Sequence, residues 1–130
     1  GAFRSVLLDA PCSGTGTLRK NPEIRWRLVP EDLPALARVQ RALLHAALDL
    51  CAPGGSVTWV TCSLEPEENE EVVGAVLAER SDAELASPEG PALPAPLAAA
   101  RRPDGFFRVP PGVSNDGFSA AVLRKAGGSR

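Results

Sequence analysis

The sequence predicts an α/β domain, a parallel sheet flanked by helices and finished by an antiparallel edge hairpin. Three observations predict it. Two short apolar, β-branched runs, residues 5–9 and 56–61, are separated by one long helical pattern over 31–51. Strands joined that way must run parallel, because a crossover helix returns the chain to its starting side. Two further strand-like runs, 105–109 and 116–124, follow a second helical pattern and leave no room for a helix between them, which makes them an antiparallel pair at the edge. A chain of 130 residues suffices for one core, so residues 1–130 are read as a single unit.

Each element has its own signal. Ser5-Val6-Leu7-Leu8-Asp9 is a buried-strand run closed by an acid and Pro11. Residues 10–17 form a loop of small residues, and 18–30 are polar and basic between the breakers Pro22 and Pro30. The first helix opens on Glu31 and Asp32, where the helix dipole favours acids. It carries Leu33, Leu36, Leu43, Leu44, Ala47, Leu48 and Cys51 at helical spacing and stops at Pro53-Gly54-Gly55. Residues 56–61 are the second strand, followed at once by Cys62 and Ser63. The second helix spans 66–80, with Pro66 in its first turn and Val72, Val73, Val76 and Leu77 as its buried stripe. Residues 81–103, rich in Ala and Pro, read as a connection, and the tail from Ala126 as a frayed end.

Composition excludes several classes. No apolar run approaches the roughly 20 residues that span a bilayer. The first residues have no signal-peptide pattern. The chain begins almost directly in a strand and contains no Met, so residue 1 is expected to lie inside a longer protein. Three widely spaced cysteines point to reduced thiols in the cytoplasm rather than to a disulfide framework. With 14 basic and 16 acidic residues, net charge −2, the whole chain does not attract nucleic acid. Arg19, Lys20, Arg25, Arg27, Arg38 and Arg41 nevertheless crowd one stretch, a basic patch that either contacts phosphate or is solvated surface.

Ligands of open α/β sheets bind beyond the carboxyl ends of the strands. Asp9 and Cys12 follow the first strand and Cys62 the second, so neighbouring strands would bring two thiols and a carboxylate to one edge. The absence of a closely spaced cysteine pair argues against a metal site and against dithiol redox chemistry. Nucleophilic catalysis and inert buried thiols remain equally open for Cys12 and Cys62. Cys51, on a helix stripe, reads as core, and His45, on the same helix with no partner evident in the sequence, as a residue without a functional role.

Three segments resemble the RsmB/NOL/NOP/Sun family of RNA cytosine-5 methyltransferases. Asp9-Ala10-Pro11-Cys12-Ser13-Gly14-Thr15-Gly16 is similar to its fourth motif. Thr61-Cys62-Ser63 with Pro66-Glu67-Glu68-Asn69-Glu70 is similar to its sixth, and Asp116-Gly117-Phe118 to its C-terminal strand motif. The stretch from Arg19 to Trp26 looks like the bacterial RsmB branch. The resemblance implies the C-terminal half of a Rossmann-like class I methyltransferase fold that uses S-adenosyl-L-methionine (SAM) on RNA, with small-subunit ribosomal RNA the substrate it suggests and transfer RNA left open. It implies that Cys62 attacks carbon 6 of cytosine, that Cys12 assists product release, and that Asp9 contacts SAM or the target base. Arg19, Lys20, Arg25 and Arg27 are implied RNA contacts, and Trp26 either stacks on a base or packs in the core.

Two departures accompany the resemblance. The family's glycine-rich SAM loop and RNA-binding N-terminal region are not among these residues, so this chain alone is expected to bind SAM weakly or not at all and to be inactive. Gly117-Phe118-Ser119 stands where the family usually has two aromatics. A non-catalytic RNA-binding or assembly module on the same scaffold is the alternative, and retention of both cysteines argues against it.

Overall fold

The computed structural model describes residues 1–86 and 94–128. Five strands form one sheet: β1 (Phe3–Asp9), β2 (Cys51–Thr61), β3 (Ala83–Leu85), β4 (Phe107–Val109) and β5 (Phe118–Lys125). Among the described residues four α-helices accompany them: α1 (Ile24–Arg27), α2 (Asp32–Leu50), α3 (Glu70–Glu79) and α4 (Ala95–Ala100). The spatial order is β1-β2-β5-β3, with β4 also paired to β5. β1 and β2 are parallel, while β5 runs antiparallel to β2, β3 and β4. Every strand but β5 therefore points the same way. The α/β class, the parallel first pair and the β4–β5 hairpin at the far side are all as the sequence predicts.

The sheet has one covered and one open face. Val57, Trp59 and Thr61 of β2 alternate with half-buried residues, and β5 places Leu123, Ala121 and Ser119 opposite them. Leu44, Ala47 and Leu48 of α2 and Val72, Val73 and Val76 of α3 close over this face to make the core. Each fully buried aliphatic side chain there contributes about 1.5–3 kcal/mol. Cys51 is fully buried in the same cluster, so its core reading holds, although it is the first residue of β2 rather than the last of a helix. Lys125 donates from Nζ to the carbonyls of Leu48 (2.8 Å) and Cys51 (3.0 Å), placing a cation at the C-terminal end of α2.

Several elements differ from expectation. β2 begins at Cys51 and runs through Pro53-Gly54-Gly55, because a register shift against β1 between Phe3 and Ser5 absorbs the extra residues as a bulge. The second helix divides into a 3-10 turn at Pro66–Glu68 and α3, with Asn69 out of helical geometry between them. Two elements lie in the stretch read as a connection: β3, held by the C-terminal half of β5, and α4. Pro88 and Pro91 of that stretch, and the last two residues of the tail, lie outside the described residues. His45 pairs with Glu79 Oε2 at 2.9 Å, a contact between α2 and α3 that the sequence does not reveal.

Candidate active site

The ends of β1 and β2 lie side by side, Asp9 opposite Val60, so both thiol-bearing loops leave the sheet from one edge. Backbone hydrogen bonds draw the loops together: Ala10 N–H donates to Val60 O (2.9 Å) and Gly16 N–H to Cys62 O (2.8 Å). Gly117 N–H then donates to Gly16 O (2.8 Å), tying in the approach to β5. A Cβ on Gly16 would stand 2.2 Å from Gly117 O and 2.7 Å from Cys62 O, so only glycine lets these three segments close up. The consequence is a sulfur–sulfur contact: Cys12 Sγ and Cys62 Sγ lie 3.3 Å apart as free thiols, each half-buried.

Burial, reinforced by the hydrogen bond and charge of Cys62, pushes the Cys12 thiol up from 9.0 to about 12. Removing water from around a sulfur penalises its charged form. Cys12 is therefore a protonated thiol at neutral pH, 3.3 Å from the Cys62 sulfur, in a contact where either sulfur can donate.

Behind the thiols the covered face of the sheet turns polar. Glu68 is completely buried. Its Oε1 accepts from Ser13 N–H (2.8 Å) and Gln40 Nε2 (3.1 Å). Its Oε2 accepts from the hydroxyls of Ser13 (2.5 Å) and Ser63. Gln40, also completely buried, donates in addition to Pro11 O at 2.8 Å. Asn69 accepts at Oδ1 from Thr61 Oγ1 (2.7 Å) and Trp59 Nε1 (3.3 Å), and donates to the carbonyls of Ser63 (3.1 Å) and Glu65 (2.9 Å). Ser119, at the departure from the family's two aromatics, is fully buried; it donates to Ser63 O (2.9 Å) and accepts from Arg108 Nε (3.1 Å). A small hydroxyl thus joins the polar cluster that supports Ser63.

The remaining candidates divide. Asp9 is exposed at the tip of β1, beside Val60 on the open face, with no side-chain partner among the described residues. Arg19 donates to Val113 O, and Lys20 pairs with Asp116 at 2.8 Å, so both brace the 113–116 loop. Arg25 and Arg27 stand exposed on α1 without ion pairs among the described residues. Trp26 between them is 80% exposed, so it is not a core residue here. Arg27 and Cys12 line one cavity of about 360 Å³ between α1 and α2, with Ile24, Leu36 and Val39 among its apolar walls. Of the groups a SAM molecule would need, the chain offers the free carboxylate of Asp9, an acceptor suited to an ammonium group.

Sequence reasoning missed Gln40 and the buried state of Glu68 and Asn69. Glu68 sits in a run of acids, Glu65, Glu67, Glu68, Glu70 and Glu71, and charge alone does not single one out. The available signal was Gln40, a polar residue at helical spacing with Leu44 and Leu48 on the buried stripe.

The family model described as "16S rRNA methyltransferase RsmB/F" matches residues 1–124. Ribosomal RNA small subunit methyltransferase F of Serratia proteamaculans is 39% identical over 125 residues, covering 95% of this chain and 26% of that protein. Ribosomal RNA small subunit methyltransferase B of Klebsiella pneumoniae is 42% identical over 107 residues, covering 81% of this chain and 25% of that protein. The chain thus spans about a quarter of the length of the curated relatives it matches. Among solved structures, NSun6 from Pyrococcus horikoshii with SFG superposes with a TM-score of 0.70 at 29% identity, covering 94% of this chain and 30% of that one.

Proposed function

The chain belongs to the 16S rRNA methyltransferase RsmB/F family, and from that premise we propose that it carries the two-thiol part of an RNA cytosine-5 methyltransferase centre. The observation that carries this reading is the 3.3 Å contact between Cys12 and Cys62 at the carboxyl edge of a parallel strand pair.

Carbon 5 of cytosine is a poor nucleophile, and covalent catalysis offers a way round. Cys62 as thiolate adds to carbon 6, forming a C–S bond and moving the C5–C6 electron pair onto carbon 5. Bound SAM supplies the methyl group that carbon 5 takes up. Loss of the carbon-5 proton to a base then returns the electron pair, restores the double bond and expels Cys62. Cys12 keeps its proton and points it in a hydrogen bond at the departing Cys62 sulfur, so the negative charge that develops there is stabilised. This is how Cys12 assists product release. The burial that raises the pKa of the Cys12 thiol suits it to stay protonated beside Cys62.

Asp9, free at the strand tip, accepts a hydrogen bond from the SAM ammonium or from the exocyclic amine of the base. Arg25 and Arg27 hold backbone phosphates, and Trp26 offers an exposed face for base stacking. The target nucleotide must leave its stack to reach the thiols. The substrate is RNA, with small-subunit ribosomal RNA favoured by the family, and reduced thiols suit the cytoplasm. Because the chain's own share of the cofactor site is one carboxylate, it binds SAM weakly by itself. The test is methyl transfer to small-subunit ribosomal RNA by the full-length protein, with the product read as bisulfite-resistant cytosine. Loss of that signal in Cys62→Ala is expected; undiminished transfer by Cys62→Ala would overturn the reading.

A further inference from the structure

We propose that Glu68 is a positioning residue: a buried carboxylate that fastens the Cys12 loop to the Cys62 loop and thereby sets the distance between the two sulfurs. The inference rests on the two-thiol reading above and adds a group to it that never meets the substrate.

Four donors converge on Glu68, and they come from both thiol loops. Ser13, next to Cys12, supplies its N–H and its hydroxyl; Ser63, next to Cys62, supplies its hydroxyl; Gln40 of α2 supplies its amide. Gln40 also holds Pro11 O on the other side of Cys12, so the residues before and after that thiol are both anchored. Glu68 itself is fixed by the Pro66–Glu68 turn, whose next residue, Asn69, holds the Ser63 and Glu65 carbonyls. One carboxylate therefore closes a ring from Cys12 through Ser13, Glu68 and Ser63 to Cys62. A carboxylate suits the position because it is an acceptor on both oxygens, and its three neighbours present four donor groups. Without it, a buried N–H and two buried hydroxyls lose their partner at once, and the loops are free to separate.

A glutamine at 68 keeps one carbonyl toward the N–H groups of Ser13 and Gln40. Its amide then faces the two hydroxyls, which can turn to accept. A leucine keeps the bulk and none of the bonds. Phenylarsine oxide distinguishes these cases, since arsenic binds tightly only where two thiols can reach it together. Two As–S bonds form, and the oxygen leaves as water with the two thiol protons; no electron is transferred and no RNA is needed.

The expected result on this chain is tight binding that Cys12→Ala abolishes. Glu68→Gln should stay close to the unsubstituted chain. Glu68→Leu and the double variant Ser13→Ala/Ser63→Ala should bind weaker by roughly tenfold or more, the effective-concentration loss on freeing one of two linked groups. Val76→Ala, a core change on α3, should lower the melting temperature and leave arsenical affinity unchanged. If Glu68→Leu does not fold, the double serine variant decides. The proposal is overturned if the unsubstituted chain does not chelate arsenic, if the serine variant binds as tightly as the unsubstituted chain, or if Val76→Ala weakens binding equally. Loss of methyl transfer as the function with this pattern intact would remove the catalytic reading and leave the positioning role standing.

Discussion

Cys12 and Cys62 touch, and the proposed reaction gives them different parts. Burial holds Cys12 as a thiol, its pKa pushed up from 9.0 to about 12. The folded chain thus binds this proton more tightly than the unfolded chain does. The associated stability is complete below about pH 9 and is lost as the pH climbs toward 12. Urea midpoints measured across that window should fall more steeply for the unsubstituted chain than for Cys12→Ala; parallel curves would show that the thiol is not perturbed. The place of the thiols was legible in the sequence because each follows a short apolar run that reads as a strand. Glu68 was not, because nothing local separates a buried acid from the acids beside it, and its four donors arrive from residues 28 to 55 positions away in the chain or from the next loop.

At the scale of elements, the site depends on short turns more than on helices. The 3-10 turn Thr15–Thr17 brings Gly16 against Cys62 O and Gly117 O with no space for a side chain. Gly16→Ala must push the three segments apart and should destabilise by about 1–3 kcal/mol, the usual range for overpacking, as read by urea denaturation. An unchanged midpoint would mean that the segments are not held as described. The same dependence on long-range partners explains which elements the sequence concealed. β1 and β5 are apolar enough to declare themselves, whereas Ala83-Glu84-Leu85 becomes β3 only because β5 has an unpaired edge beside it. The Pro66–Glu68 turn looks like a helix start, with proline and acids in the expected places. What breaks it from α3 is Asn69, whose side chain bonds to Thr61, Ser63, Glu65 and Trp59 in preference to continuing the helix.

For the molecule as a whole, the strand–helix–strand–helix order with a closing hairpin was legible, and so was the common edge to which β1 and β2 deliver their loops. The polar lining behind that edge was not, since it depends on which side chains of the covered face run past the apolar core: Thr61 and Ser119 sit opposite each other one step beyond Trp59 and Ala121. The basic patch also resolves only in three dimensions, where Arg19 and Lys20 bond to the 113–116 loop at the surface and Arg25 and Arg27 stand without ion pairs among the described residues. The central claim is that the whole sheet edge serves one covalent reaction in which Cys62 attacks and Cys12 releases. The most direct measurement incubates the full-length protein with SAM and RNA containing 5-fluorocytosine, whose fluorine blocks the final elimination, and looks for a protein–RNA adduct on a denaturing gel. The account predicts an adduct with the unsubstituted protein and with Cys12→Ala, and none with Cys62→Ala. An adduct that survives Cys62→Ala and disappears with Cys12→Ala would contradict it.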